Sequence, residues 1–139
     1  MKYFSQNVEV KKIQTNFSKL NQWVKLKNSN SLVLFRGYAH NFSKKDLLIK
    51  ATKLNVNNVS RFLNSIDGHF CLIVIKENFA FAAVDKIRSI PIIYTIQKKK
   101  LILSDHGTGI SKIINLKPKD IDLFSSKLFA LSGYSFNQN

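Results

Sequence analysis

Apolar positions follow different spacings along the chain, and these spacings divide it into extended and helical parts. The segment 31–36 is a short apolar run between an Asn/Ser cluster and Gly37, which predicts a buried strand. Apolar residues then recur at helical spacing on one face over 44–54. Because Ser43 stands three residues before Asp46, that helix has a start similar to a capping box.

A second short helix is predicted next, with Asn57 or Asn58 as its cap. After Asp67-Gly68 the period changes, and apolar segments with turns between them predict strands over 69–76, 79–85, 90–96 and 101–104. The turns fall at Glu77-Asn78 and at the lysines 98–100. Further helices are predicted over 109–115 and 120–131, and weak extended segments over 8–13 and 22–27.

These elements together predict an α+β fold. The four consecutive strands read as apolar on both faces, so each sheet needs a covering layer on both sides. With helices before and after the strands, we expect layered, mostly antiparallel sheets flanked by helices. The length of 139 residues predicts a single domain over 1–139.

Composition narrows the cell compartment and the chemistry. No apolar stretch approaches the roughly 20 residues that span a bilayer. The first ten residues lack the apolar centre of a signal peptide, which predicts a cytoplasmic protein with no membrane partner. The single cysteine, Cys71, excludes an internal disulfide, and its place in an apolar strand predicts a buried side chain.

The chain is strongly basic, with 22 Lys and Arg against 8 Asp and Glu. Such a charge is typical of nucleic-acid-binding proteins, and the lysines at 44–45 and 98–100 are the candidate contacts. Only three of the basic residues are arginine, however, and lysine rises together with asparagine and isoleucine, as an AT-rich coding sequence produces. A lysine-coated, solvated surface is therefore the competing interpretation.

Three motifs stand in order over 62–105, namely Asp-Gly-His-Phe at 67–70, Asp85 followed by Pro91 and Tyr94, and Ser-Asp at 104–105. They resemble the glutaminase domain of asparagine-synthetase-like class II glutamine amidotransferases, which have an N-terminal nucleophile. The segment 36–41 resembles the family's oxyanion-hole segment, and 128–134 resembles its last helix. The resemblance is strongest over 31–136 and implies a reduced αββα sandwich. It assigns a structural role to Gly68, Phe70, Asp85, Pro91, Tyr94 and Gly133, and a remnant oxyanion-hole segment to Arg36, Gly37 and Asn41.

The catalytic residues that the resemblance implies are absent. The family nucleophile is a cysteine at position 2, where this chain has Lys2. The oxyanion-hole asparagine is replaced by Arg36, and the loops that bind the glutamine carboxylate and amine are missing. The domain is therefore predicted not to be an enzyme, with no catalytic residues and no cofactor.

Other chemistry finds little support in the residues. His40, His69 and His106 lack the spacing of metal ligands, so no metal site is predicted. We expect Asp85 to form an ion pair with Lys86 or Arg88.

Three functions follow as hypotheses. The first is a catalytically inactive glutaminase-like domain that supports or docks onto an ATP-dependent, amide-forming synthetase, supplied as a separate subunit or domain. The second is a module that binds a small anion or a carboxylate in the remnant cleft through Arg36, whose alternative is a guanidinium that extends to solvent. The third is nucleic-acid binding by the basic surface.

Overall fold

The structure is a computed structural model that describes residues 12–18, 20–77, 79–120 and 122. These residues contain the strands β1 Lys12–Asn16, β2 Val24–Lys27, β3 Ser31–Ala39, β4 Gly68–Lys76, β5 Ala80–Val84, β6 Ile93–Gln97 and β7 Lys100–Ser104. They also contain the helices α1 Lys44–Thr52, α2 Val59–Ser65 and α3 Gly107–Ile114. Single 3₁₀ turns lie at Leu20–Gln22 and Pro118–Asp120.

The strands form two sheets. The larger has the order β2-β3-β4-β5 and is antiparallel throughout. The smaller has the order β1-β7-β6, in which β6 and β7 are an antiparallel hairpin and β1 runs parallel to β7. The prediction of an α+β fold with mostly antiparallel sheets is confirmed.

Two hydrophobic clusters set the order of the layers. Helices α1 and α2 cover one face of the larger sheet, where side chains such as Phe35, Leu47 and Phe70 form the first cluster. The opposite face packs against the smaller sheet through Leu34, Ile73 and Leu103 in the second cluster. Helix α3 lies against β6 and β7. The described layers are therefore helices, sheet, sheet and helix.

Local sequence signals set the helix ends. Ser43 caps α1 by accepting a 3.1 Å hydrogen bond from the backbone N–H of Asp46, so the predicted cap is confirmed. The Asp46 carboxylate accepts from the Ser43 hydroxyl at 2.6 Å instead of from its backbone N–H. Asn58 is the N-cap of α2, but its side chain makes no capping bond and instead accepts one from the backbone N–H of Asn55. Helix α3 ends at Ile114, and its C-cap Asn115 has a φ of 53°, the left-handed conformation common after a helix.

The strand predictions differ from the structure in detail. Strand β3 continues past Arg36 to Ala39, because Gly37 pairs inside the sheet instead of ending the strand. Strand β6 begins at Ile93 rather than 90, since Pro91 lacks an N–H and restricts the residue before it. The prediction that all four strands are apolar on both faces is wrong for β5 and β6, which are half exposed at sheet edges.

Several predictions lie wholly or partly outside the described residues. They concern the extended segment at 8–11, Lys2, Asn78 of the first hairpin turn, nearly all of the helix predicted over 120–131, and Gly133. They stay predictions.

Candidate functional site

Polar side chains gather at one end of the space between the two sheets. Along β3, Leu34 faces the smaller sheet, and because side chains alternate, Arg36 and Tyr38 face the same way. Asp105 follows the last residue of β7, and His106 is the N-cap of α3. The ends of strands from both sheets therefore contribute to one cluster.

An ion pair between Arg36 and Asp105 links the two sheets. Arg36 Nη1 lies 2.9 Å from Asp105 Oδ2, and the two side chains are 20% and 2% exposed. The alternative in which Arg36 extends to solvent describes only part of its environment, because the side chain is 20% exposed and also pairs with Asp105. The Arg36 guanidinium extends from β3 of the larger sheet toward the smaller sheet. The buried carboxylate of Asp105 offsets the cost of removing this charge from water.

Asp105 has further donors besides Arg36. The backbone N–H of Ser18 donates to Oδ1 at 2.8 Å and its hydroxyl donates to Oδ2 at 3.2 Å. His106 Nδ1 lies 2.8 Å from Oδ1, and because a carboxylate only accepts, this nitrogen is the donor. Burial raises the pKa of Asp105, but the bonds from Ser18 and His106 and the charge of Arg36 outweigh it, and the pKa is below its ordinary value.

A shallow groove of about 440 Å³, widely open to solvent, lies beside this ion pair. It is lined by Gln22, Arg36, Gly37, Tyr38, Lys44 and Ile90. The lining includes two of the three predicted remnant residues, Arg36 and Gly37, and carries two cations and no carboxylate. Its charge suits an anion.

Asn41, the third residue of the predicted remnant segment, is not among the residues that line this groove. Its side-chain Nδ2 donates to the Ser65 carbonyl at 2.6 Å, and its Oδ1 accepts from the Asp67 N–H at 3.1 Å. Asn41 therefore joins the loop after β3 to the loop before β4. This is a structural role.

Gly37 and Gly68 allow β3 and β4 to approach closely. A Cβ on Gly37, at φ +109°, would lie 2.1 Å from the His69 carbonyl oxygen. A Cβ on Gly68, at φ +155°, would lie 2.2 Å from the Tyr38 carbonyl oxygen. The positive φ predicted for Gly68 is confirmed, and neither position has room for a side chain.

Asp85 is held by a turn and not by a cation. Its carboxylate accepts from the backbone N–H groups of Phe70, Ile87 and Ser89 at 3.1, 3.0 and 3.3 Å, and from the Ser89 hydroxyl. The expected ion pair with Lys86 or Arg88 is wrong, because these donors already satisfy both oxygens. Burial raises the pKa of Asp85, but the bonds from Ser89, Phe70 and Ile87 lower it further, so it lies below its ordinary value.

His69 extends this hydrogen-bond chain from β4. Its Nδ1 lies 3.0 Å from the Ser89 hydroxyl. Since that hydroxyl donates its one hydrogen to Asp85, it accepts from His69, which places the ring proton on Nδ1. The His69 ring also contacts Tyr38 edge-on, with centroids 5.4 Å apart.

The other predicted structural residues take different positions. Phe70 is 2% exposed and belongs to the first hydrophobic cluster. Pro91 lies before β6, and Tyr94 within β6 is 49% exposed, so neither is part of the polar cluster. Sequence reasoning missed Ser18 and Ser89, and it considered Lys44 only as a nucleic-acid contact. Ser18 reaches Asp105 across 87 positions, which no local motif reveals, whereas Ser89 bonds Asp85 only four residues away.

Cys71 is a core residue. It is fully buried and unpaired, as predicted, and burial raises the pKa of its thiol far above the ordinary value. The thiol is therefore protonated at neutral pH and is no nucleophile.

The lysine turn has a backbone explanation. Lys98 and Lys99 connect β6 to β7 with φ of 48° and 63°, the conformation of a tight type I′ hairpin turn. Their position follows from the hairpin and does not by itself favour nucleic-acid binding.

Within the described ranges, no cluster of three His, Cys, Asp or Glu side chains could hold a metal ion, and no helix has the length and apolarity to cross a bilayer. Comparisons of the chain with protein-family models, with curated proteins and with solved structures found no match. The resemblance to amidotransferase glutaminase domains therefore stays a prediction.

Proposed function

We propose that this chain is a non-catalytic, glutaminase-like domain that docks onto an ATP-dependent, asparagine-synthetase-like ligase that forms amide bonds. The order of the layers, two facing sheets between helices, agrees with the reduced αββα sandwich that the motifs imply. The motif residues also keep their order along these elements, with Gly68 at the start of β4 and Asp85 directly after β5.

The Arg36–Asp105 ion pair is the observation that carries the proposal. Arg36 takes the position at which the family has a neutral amide donor for an oxyanion. Here that position holds a cation whose Nη1 is 2.9 Å from a carboxylate. The Nη1 donor that is bound to Asp105 in the ground state is not free to stabilise charge that develops only in a transition state, and a flexible cation replaces the neutral amide of the family.

Among the described residues beside this ion pair, the hydroxyls of Ser18 and Ser104 are already bonded, because Ser18 Oγ donates to Asp105 and Ser104 Oγ donates to the His106 carbonyl. Cys71 is buried and protonated, and the Ser89 hydroxyl donates its hydrogen to Asp85. A domain that keeps the architecture without the chemistry is suited to support a partner, and the resemblance identifies that partner as a synthetase.

The proposal is tested by purifying the tagged chain from its native cell and identifying bound proteins by mass spectrometry. Nuclease treatment and a wash in about 0.5 M salt remove partners held by the lysine surface alone. We expect an adenylate-forming amide ligase to remain bound and to co-elute with the purified chain in size-exclusion chromatography. A chain that stays a monomer with every purified candidate synthetase overturns the proposal, as does nucleic acid as the sole salt-sensitive partner.

A second assay tests the loss of catalysis. The purified chain is incubated with glutamine, and glutamate is measured by an enzyme-coupled assay. We expect no release above that of the heat-denatured chain, and saturable release contradicts the proposal.

A further inference from the structure

The groove beside the ion pair has the composition of a site for an organic carboxylate. Arg36 and Lys44 supply positive charge, Gln22 supplies an amide, and Tyr38 and Ile90 supply apolar surface. No acidic side chain is among the lining residues. Such a mixture of a few polar groups with apolar surface is typical of small-ligand sites.

Arg36 keeps donors available although it is paired. The described residues give its guanidinium one hydrogen bond, from Nη1 to Asp105. A guanidinium has five N–H donors in a planar fork. Among the described residues, the one fully buried side-chain nitrogen or oxygen without a hydrogen-bond partner is the Trp23 indole Nε1. No nitrogen of Arg36 is in this class, so the unbonded nitrogens of Arg36 are not fully buried. Arg36 is also among the residues that line the groove, and its side chain is 20% exposed.

Asp105 orients Arg36 and does not itself line the groove. Its side chain is 2% exposed, and it accepts from Ser18, Arg36 and His106. A buried carboxylate with this many donors holds the guanidinium in one orientation, which lowers the entropy lost when an anion binds. Lys44 is exposed at the start of α1 and adds a second, movable cation.

We propose that this groove binds the carboxylate of an organic ligand between Arg36 and Lys44, with the apolar part of the ligand against Tyr38 and Ile90. A planar carboxylate matches the planar fork of a guanidinium, and the apolar walls favour an organic anion over inorganic phosphate. The carboxylate belongs either to a free small acid or to the C-terminus of a polypeptide. The proposal does not rest on synthetase docking, and either can fail without the other.

The test is a titration followed by ¹H–¹⁵N NMR of the labelled chain. The probes are N-acetyl-phenylalanine and a hexapeptide with a free C-terminus, each beside its amidated form, and inorganic phosphate. We expect saturable shifts in the amides of Gly37, Tyr38 and Lys44 with the free carboxylates, with a dissociation constant on the order of 1 mM for the small acid. Tighter binding of the peptide identifies a polypeptide C-terminus as the source, and equal binding identifies the free acid.

Two lysines give a matched pair of variants. Lys44 lines the groove and Lys45 does not, and both are exposed in the first turn of α1. We expect Lys44→Ala to weaken binding about tenfold and Lys45→Ala less than about twofold. Arg36→Lys keeps the charge but loses the fork, and we expect it to weaken binding about tenfold while the thermal transition stays cooperative.

Three results overturn the proposal. The first is equal weakening by Lys44→Ala and Lys45→Ala, which indicates general attraction to the basic surface. The second is equal binding of the amidated probes or of phosphate, and the third is the absence of saturable shifts. Because both lysines are exposed, these variants remain interpretable even where substitution of Arg36 prevents folding.

Discussion

The contact between Arg36 and Asp105 joins the two sheets, and its removal is expected to weaken the whole fold. We consider Arg36→Met, which keeps much of the aliphatic length, Asp105→Asn, which keeps the shape, and the double variant. The paired atoms are 2.9 Å apart, and the carboxylate is almost fully buried. This pair differs from surface ion pairs, which contribute about 0–1 kcal/mol.

The number of donors at each partner sets the magnitude. In Arg36→Met, Asp105 keeps its bonds from Ser18 and His106, so it is not left without partners. The loss is then one charged hydrogen bond, about 2 kcal/mol. In Asp105→Asn, the new amide NH₂ cannot accept from the groups of Ser18, Arg36 and His106 that now donate to the carboxylate. At least one buried donor then lacks an acceptor, and the expected loss of unfolding free energy rises to about 3 kcal/mol. Because Arg36 is still partly exposed, we expect a coupling energy of about 1–2 kcal/mol between the two sites.

Urea denaturation at pH 7 measures these energies, and Trp23 is a suitable probe. It is the single tryptophan, it is 8% exposed, and it belongs to the cluster between the sheets. Urea is uncharged and leaves the ion pair unscreened, unlike guanidinium chloride. Losses that add to within about 0.5 kcal/mol in the double variant refute the reasoning, because the two side chains are then energetically independent.

Three further predictions concern the backbone and the carboxylates. Gly37→Ala is expected to cost about 3 kcal/mol or more in urea denaturation, because its Cβ would lie 2.1 Å from a carbonyl oxygen of β4; a loss under about 1 kcal/mol contradicts this. Asp85 and Asp105 have lowered pKa values in the folded state, so their contribution to stability is present above the ordinary value of 3.8 and is lost as pH falls through the folded values. Denaturation midpoints between about pH 5 and pH 2 should therefore fall less steeply in Asp105→Asn than in the wild type; parallel curves exclude this role. Replacement of Lys98-Lys99 by Asn-Gly should raise stability by about 1 kcal/mol, because both residues have positive φ, and an unchanged thermal midpoint contradicts that explanation.

Features that depend on neighbours in the chain were predictable from the sequence. The Ser43 cap, which bonds the backbone N–H of Asp46, specifies where α1 begins, because both residues lie within one turn. The apolar run that became β4 predicted a buried strand, and Cys71 within it is fully buried. The α+β class follows from such local signals, since each element is identified by its own period.

The end of β3 and the hydrogen-bond partners of Asp85 depended on backbone contacts that the local sequence pattern does not contain. Gly37 was expected to end a strand, but β4 approaches so closely there that β3 continues through it. Asp85 was expected to pair with a nearby cation, but it accepts from backbone N–H groups of β4 at Phe70 and of the turn that follows it at Ile87 and Ser89. In both cases the backbone of a folded neighbour outweighed the preference of the residue type.

The sequence by itself determined the elements, the burial of β4 and the excess of positive charge. Only the tertiary structure decided where that charge matters, by bringing Arg36 of β3 to Asp105 at the end of β7, residues that are 69 positions apart. It also placed β1 parallel to β7 and Lys44 beside the groove. Helix and strand periods describe which face of an element is apolar, but they carry no information about which two faces meet. That choice is made by the packing of the whole chain, and it creates the candidate site.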